Sequence, residues 1–178
     1  MRRLPAPALF PSDPSLGEEA DRWISWLDAK VGPATRLALF HEVLADPDHA
    51  VQIFATAQPA WKRVPYTWLF PRMIPMLRKK MSITDASAGE ARETASEALD
   101  RIASAASRTG YLVGDRFSAA DLSAAALLFP LSFPPELPFD LPDRASAVFD
   151  RWRSRWTGHP GVLWMEEIFR KHRHRLLS

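Results

Sequence analysis

The sequence of 178 residues has no cysteine, seven glycines, and no apolar run near the ~20 residues that a membrane-spanning helix needs. The lack of cysteine excludes disulfides, thiolate metal sites and cysteine nucleophiles, and fits a reducing cytoplasm. The start of the chain is charged like a signal peptide, but prolines break its short apolar part. We therefore expect a cytoplasmic chain with neither a signal peptide nor a membrane span.

Apolar and aromatic side chains are abundant. Apolar residues make up 47% of the sequence and charged residues 25%, which is typical of a globular protein. Seven tryptophans and ten phenylalanines indicate a large aromatic core, an apolar cleft or a partner surface. The length fits a single domain. We expect a Pro-rich, linker-like lead over 1–13, followed by one helical domain over 14–178.

The apolar periodicity predicts helices and no strand. Apolar residues recur every three or four positions from Leu16 to Leu44, which predicts one long helix over 14–45 with a kink at Gly32-Pro33. A short helix should cover 48–57. Four prolines lie in 58–84, so any helix there should be kinked or broken into turns.

Three further helices are predicted towards the C-terminus, in addition to a central helix at about 118–129. A capping box of Ser87 and Glu90 should open a helix that continues to about residue 108. Two last helices should cover about 143–157 and 160–175. The separator between them is the segment Gly158-His-Pro-Gly161, whose glycines and proline favour a break.

The segment 111–130 contains a complete helix start. Ser118 can act as N-cap with Asp121 at N3, and Phe117 and Leu122 occupy the two positions of a hydrophobic staple. The residues from Leu122 to Phe129 carry no charge and only one hydroxyl. A helix that is apolar on all sides belongs inside a bundle. We therefore expect a buried central helix at about 118–129, with Ser118 and Asp121 in a structural role.

This segment, Tyr-Leu-Val-Gly-Asp-Arg-Phe-Ser-Ala-Ala-Asp-Leu over 111–122, resembles the loop and capping box of the C-terminal domain of cytosolic glutathione transferases. The lead 7–14 resembles the interdomain linker of that family. The segment 160–173 resembles the tail helix of a bacterial glutathione-transferase-like subgroup. The resemblance implies an all-α fold, the helical bundle of that C-terminal domain, over about 7–174.

The family's N-terminal thioredoxin-like domain binds most of glutathione and activates its thiolate, and this sequence shows no such domain. The resemblance therefore implies no catalytic residue here and no tightly bound cofactor. Glutathione would be a co-substrate only if a thioredoxin-like domain were supplied, in cis or in trans. What carries over is one wall of a pocket for a small hydrophobic electrophile. The candidates, from the first long helix, the proline-rich segment and the tail, are Trp23, Trp26, Arg36, Phe40, Trp61, Tyr66, Trp68, Met73 and Trp164.

Other functions stay open. The same bundle could be a non-catalytic interaction module, and we expect a homodimer. His41 and His49 lie eight apart, which does not suit a metal site, so no metal is expected. The segment from residue 151 onward contains seven Lys and Arg and two acidic residues, and this local charge of +5 is typical of a solvated helix end. Nucleic acid or an anionic membrane is the weaker explanation of that charge.

Overall fold

The computed structural model describes residues 9–48, 50–51, 60–137 and 147–173, with 60–66, 148 and 149 described by their backbone alone. Within these ranges the regular secondary structure is helical, without a strand, which confirms the all-α prediction. No helix in these ranges combines the length and the apolar character of a membrane span.

The first two helices, α1 (Pro14–Trp26) and α2 (Gly32–Val43), are joined by a π-helical turn, Leu27–Val31. Helical structure therefore continues from 14 to 43, as the apolar stripe predicts. In the turn, the Gly32 N–H donates to the carbonyl of Leu27, five residues earlier. The feature expected as a kink is thus a widened turn placed directly before Pro33, the residue that has no N–H to donate.

The third helix, α3, covers Ala60–Lys80 and includes Pro65, Pro71 and Pro75. Of the two expectations for this segment, a kinked helix or a break into turns, the break into turns is wrong. An internal proline removes one backbone hydrogen bond, and its ring crowds the carbonyl four residues earlier. The helix nevertheless continues through all three prolines. Within it, the Arg72 guanidinium donates to the carbonyl of Trp68 at 2.6 Å. The short helix expected over 48–57 lies largely outside the described residues.

The fourth helix, α4, covers Asp85–Ala106 and begins earlier than predicted. Its N-cap is Thr84, and Ser87 stands at N3 rather than at the N-cap. The hydroxyl of Thr84 accepts from the Ser87 N–H at 3.1 Å, and the Ser87 hydroxyl accepts from the Thr84 N–H at 3.0 Å. A serine in place of the usual acid at N3 hid this capping box from the sequence pattern.

The remaining helices are α5 (Ala119–Leu128), followed by a 3-10 turn, α6 (Ala147–Trp156) and α7 (Pro160–His172). The main core lies between α1, α2, α4, α5 and α7, with Trp152 and Trp156 of α6 completing it. A smaller apolar cluster joins the end of α2 to Phe70 and Ile74 of α3. The central helix α5 packs against α1 and α7.

The crossing of α4 and α7 depends on a glycine. A Cβ placed on Gly161 would lie 2.4 Å from the carbonyl oxygen of Leu99, a distance that no real contact allows. The buried alanines of α4, from Ala91 to Ala106, line the same helix and let its neighbours approach closely. Gly161 therefore fixes where α7 crosses α4, and with it the position of the C-terminal helix.

Candidate functional site

The start of α5 is built around a buried carboxylate. Both halves of the capping box between Ser118 and Asp121 are present, and Asp121 is fully buried. One of its oxygens accepts from the Ser118 N–H at 2.8 Å and from the Ser118 hydroxyl at 2.7 Å. The other accepts from the Leu112 N–H at 2.7 Å. This last bond ties the preceding loop to the helix, which the sequence did not reveal.

Burial raises the pKa of the Asp121 carboxyl above its ordinary value, and the hydrogen bonds from Leu112 and Ser118 oppose that shift. The carboxyl makes its contacts inside the fold. The first helical N–H, that of Ala119, donates to the carbonyl of Leu9 at 2.8 Å, so the lead segment also closes this end of the helix. The geometry assigns Ser118 and Asp121 a structural role at the edge of the candidate site.

The central helix has one open face. Ala120, Asp121, Ala124 and Leu128 are buried, but 47% of Leu122 is exposed, and Ala126, one turn further on, is exposed too. The central helix therefore presents apolar side chains to solvent at Leu122 and Ala126. Contiguous exposed apolar surface makes this face a candidate for ligand contact.

This open face is the floor of a cleft of about 620 Å³ between α5 and α7. The volume lies within the range of small-molecule sites, roughly 300–1,000 Å³. Two residues before and within α5, Phe117 and Leu122, were predicted as a hydrophobic staple, and both line the cleft. The other lining residues are Ala125, Ala126, Phe129, Leu137, Ile168, Phe169, His172 and Arg173.

Polar groups are concentrated at one end of the cleft. The His172 ring stacks on Phe117, with ring centres 4.1 Å apart, and its Nε2 lies 3.2 Å from the hydroxyl of Tyr111. The guanidinium of Arg173 lies 5.9 Å from the centre of the Phe169 ring. The imidazole is held by two neighbours, so it forms a defined end wall. The cleft is thus apolar along its floor and basic at this end.

The predicted wall residues do not gather at one place. Trp23 and Trp26 pack edge to face, with ring centres 5.5 Å apart. The Arg101 guanidinium lies over both rings, 4.7 Å and 4.3 Å from their centres. Trp164 is buried, and its Nε1 donates to the carbonyl of Gly110 at 2.9 Å. These three tryptophans have structural partners, as large aromatic side chains in a bundle commonly do.

The other predicted wall residues lie elsewhere. Arg36 is exposed on α2, Phe40 is partly buried beside the smaller apolar cluster, and Met73 is partly buried on α3. Trp68 is 70% exposed. Trp61 and Tyr66 lie in α3, where the structure describes only their backbone. Of the three segments expected to form the wall, only the tail contributes described residues to the lining of the cleft.

The histidines do not form a metal site in the described part of the chain, where no group of three potential ligands is found. His41 Nε2 lies 2.8 Å from a carboxylate oxygen of Asp85, which joins α2 to the start of α4. That contact lowers the pKa of the Asp85 carboxyl, through the hydrogen bond and then through the charge of the imidazole. His49 lies outside the described residues.

Comparison with protein families identifies the chain. Residues 58–163 match the family model described as "Glutathione S-transferase, C-terminal domain". The chain belongs to this family. No match was found among curated proteins or among solved structures. The matched range includes α3, α4, α5 and the start of α7, so the glutathione transferase match covers the helix that forms the floor of the cleft.

Sequence reasoning found the helix of this glutathione transferase domain and missed its cleft. Eight of the ten lining residues were not proposed as site residues. The available signal was the fully apolar surface of α5, which we interpreted as complete burial. Such a surface also fits a helix that is packed on one side and lines an open site on the other. The tail helix, which was expected at the wall, forms the side of the cleft that faces α5.

Proposed function

We propose that this chain is the helical half of a cytoplasmic glutathione-transferase-like system and that the cleft between α5 and α7 is its wall for a hydrophobic co-substrate. Thiolate activation then depends on a thioredoxin-like domain, in cis or in trans. The observation that carries the proposal is the exposed apolar face of the central helix, formed by Leu122 and Ala126 at a cleft of suitable volume. Family membership supports it.

The chemistry assigned to this half is limited to holding the electrophile. Addition of a glutathione thiolate needs a hydrogen-bond donor or a positive charge beside the sulfur. The cleft offers apolar contact to the body of a substrate, and we assign no residue of it to the sulfur. The expected division of work is therefore binding here and activation in the partner domain.

Binding by the chain alone tests the proposed wall. Titration with the neutral electrophile chlorodinitrobenzene, followed by calorimetry, should show saturable binding. Leu122→Gln should weaken it about tenfold, since a polar side chain on the floor removes apolar contact worth over 1 kcal/mol. Ala126→Gln is a second variant outside the capping box, and its longer side chain should obstruct the cleft to a similar extent.

Leu163→Gln is the matched control, because Leu163 is a leucine on α7 that is 53% exposed and lies outside this cleft. It should leave binding unchanged. Equal effects of Leu163→Gln and the two cleft variants, or no saturable binding at all, would overturn the proposal.

Catalysis provides an independent test. The chain alone, mixed with glutathione and chlorodinitrobenzene, should give conjugation at the uncatalysed rate, and glutathione alone should give no binding heat. Turnover well above the uncatalysed rate would contradict the assignment of thiolate activation to another domain.

A non-catalytic interaction module is the second candidate, and a different surface favours it. On α3 the exposed side chains of Trp68 and Met76 lie eight residues apart on one helix face, with exposed Leu69 beside Trp68. Large exposed tryptophans are typical of interface centres. Homodimerisation through α3 would bury this face.

Sedimentation velocity distinguishes the two surfaces. A dimer that Trp68→Ala converts to monomer, with chlorodinitrobenzene binding unchanged, would assign association to α3 and ligand binding to the cleft. A dimer that Trp68→Ala leaves intact would exclude α3 as the dimer surface.

A further inference from the structure

The cations at the end of α7 are not equivalent. Glu167 pairs with Arg170, and its other carboxylate oxygen lies 3.1 Å from Nζ of Lys171. Arg170 and Lys171 therefore share one carboxylate partner on the same helix. Arg173 lies at the C-cap and lines the cleft, and no carboxylate in the described part of the chain forms an ion pair with it.

The described residues that line the cleft carry no negative charge. The eight apolar residues among them continue directly into His172 and Arg173, and no acid is among the described lining residues. An apolar floor that ends in a cation without a carboxylate partner among the described residues complements a molecule with an apolar body and one anionic end. A neutral ligand would leave that guanidinium without an anionic partner.

We propose that the cleft selects amphipathic carboxylates, with the carboxylate at Arg173 and His172 and the apolar body along Leu122, Ala126 and Phe129. This inference rests on the proposed function and names the ligand class of the same site. The Arg173 guanidinium provides a planar pair of donors that matches a carboxylate. The Tyr111 hydroxyl and the Phe117 ring hold the imidazole of His172 in place beside it.

The dipole of α7 disfavours a bound carboxylate at this end of the cleft, so binding there needs the positive charge of Arg173. The cleft's basic end lies at the C-terminus of the helix, where the backbone dipole presents partial negative charge. The Arg173 N–H donates to the Phe169 carbonyl at 2.9 Å, which satisfies one of the terminal carbonyls. Without the Arg173 charge, the helix end would repel a carboxylate, so the preference should depend on this single side chain.

Paired ligands test the inference in the full chain. Calorimetric titration with decanoate and with decanol, which share a chain length and differ in charge, should show decanoate binding about tenfold more tightly, as expected for one charge-assisted hydrogen bond. Arg173→Gln should remove most of that preference by weakening decanoate while leaving decanol within about twofold.

Lys171→Gln is the matched control, because it removes one positive charge from the same helix end at a residue outside the cleft. It should leave the preference unchanged. Equal binding of the two ligands in the unmodified protein, or an equal loss of decanoate binding in both variants, would overturn the inference. Decanol binding that is sensitive to Ala126→Gln would still support the proposed wall, whereas no binding of either ligand would contradict both.

Discussion

The helices α4 and α5 begin with the same kind of capping box in opposite surroundings. At α4, the Thr84 and Ser87 hydroxyls serve each other's backbone N–H groups at the surface. At α5, the Asp121 carboxylate is fully buried and accepts three hydrogen bonds, one of them from a loop nine residues earlier. The surface box only starts its helix, while the buried box also fixes the preceding loop at Leu112.

The difference should appear in stability, because water can replace a lost partner at the surface but not in the core. A donor left without a partner in the interior costs about 1–3 kcal/mol. Alanine substitutions at the two helix starts should therefore lower the free energy of unfolding by different amounts. The difference measures the stability that burial adds to a capping box.

The largest effect is expected for Asp121→Ala. It leaves the N–H groups of Leu112 and Ser118 and the Ser118 hydroxyl without their acceptor, so the free energy of unfolding should fall by about 3 kcal/mol or more. Urea denaturation followed by tryptophan fluorescence measures this loss. A loss below that of Thr84→Ala would show that the buried carboxylate does not hold the loop.

A smaller effect is expected for Ser118→Ala, about 1 kcal/mol, the usual cost of a lost N-cap. Ser118 and Asp121 share one set of hydrogen bonds, so the double variant should lose less than the sum of the two single variants. Strict additivity in this double-mutant cycle, measured by the same urea titrations, would indicate that the two residues act separately.

Thr84→Ala should cost about 1 kcal/mol or somewhat less, because solvent reaches the freed N–H groups. Ser87→Ala, at the other half of the same box, should cost a similar amount and be non-additive with it. Thermal unfolding of the two single variants and the double variant checks this. A loss at Thr84 as large as that at Asp121 would remove the distinction between the two helix starts.

The smallest effects are expected from pH, and they have opposite signs at the two helix starts. The pKa of Asp85 is lowered by His41, so its contribution to stability is present above the ordinary value of 3.8 and is lost as pH falls through the lowered pKa. The pKa of Asp121 is raised by burial, so its contribution is greatest below 3.8 and declines as pH rises through the raised pKa.

Denaturation between about pH 3 and pH 6 separates the two carboxyls, since that window spans the ordinary Asp pKa. The stability difference between the unmodified protein and Asp85→Asn should shrink towards acid, and the corresponding difference for Asp121→Asn should grow. If the stability difference changed with pH in the same direction for both variants, either burial would not raise the pKa of Asp121 or the imidazole of His41 would not lower the pKa of Asp85.

Prediction from sequence succeeded where the signal is local. The long first helix, the central helix and the tail helix follow from periodicity and from capping residues close in the chain. A break into turns was wrong for α3, where three prolines lie within one helix, and the start of α4 was placed too late, because a serine substitutes for the acid of the capping box. At α4 the Ser87 hydroxyl accepts the hydrogen bond that the pattern assigns to an acid.

The candidate site was less predictable than the fold because it is formed by residues far apart in the chain. Tryptophan is a residue type that commonly lines apolar pockets, which is why Trp23, Trp26 and Trp164 were predicted at the wall. In the structure, the Arg101 guanidinium covers the rings of Trp23 and Trp26. The Trp164 ring N–H donates to the carbonyl of Gly110. Nothing in the sequence spacing distinguishes a tryptophan that packs against an arginine from one that lines a cleft.

The sequence by itself determined that this chain is helical, where its central helix begins, and which family it resembles, because caps and periodicity act over a few residues. Only the tertiary structure decided which side of that helix stays open. That depends on where α7 crosses the bundle, at the contact of Gly161 with Leu99, which brings Phe169, His172 and Arg173 opposite Leu122. The physical reason is packing: α7 approaches α4 closely at Gly161 and leaves a gap towards α5 further along, and local sequence patterns carry no information about either.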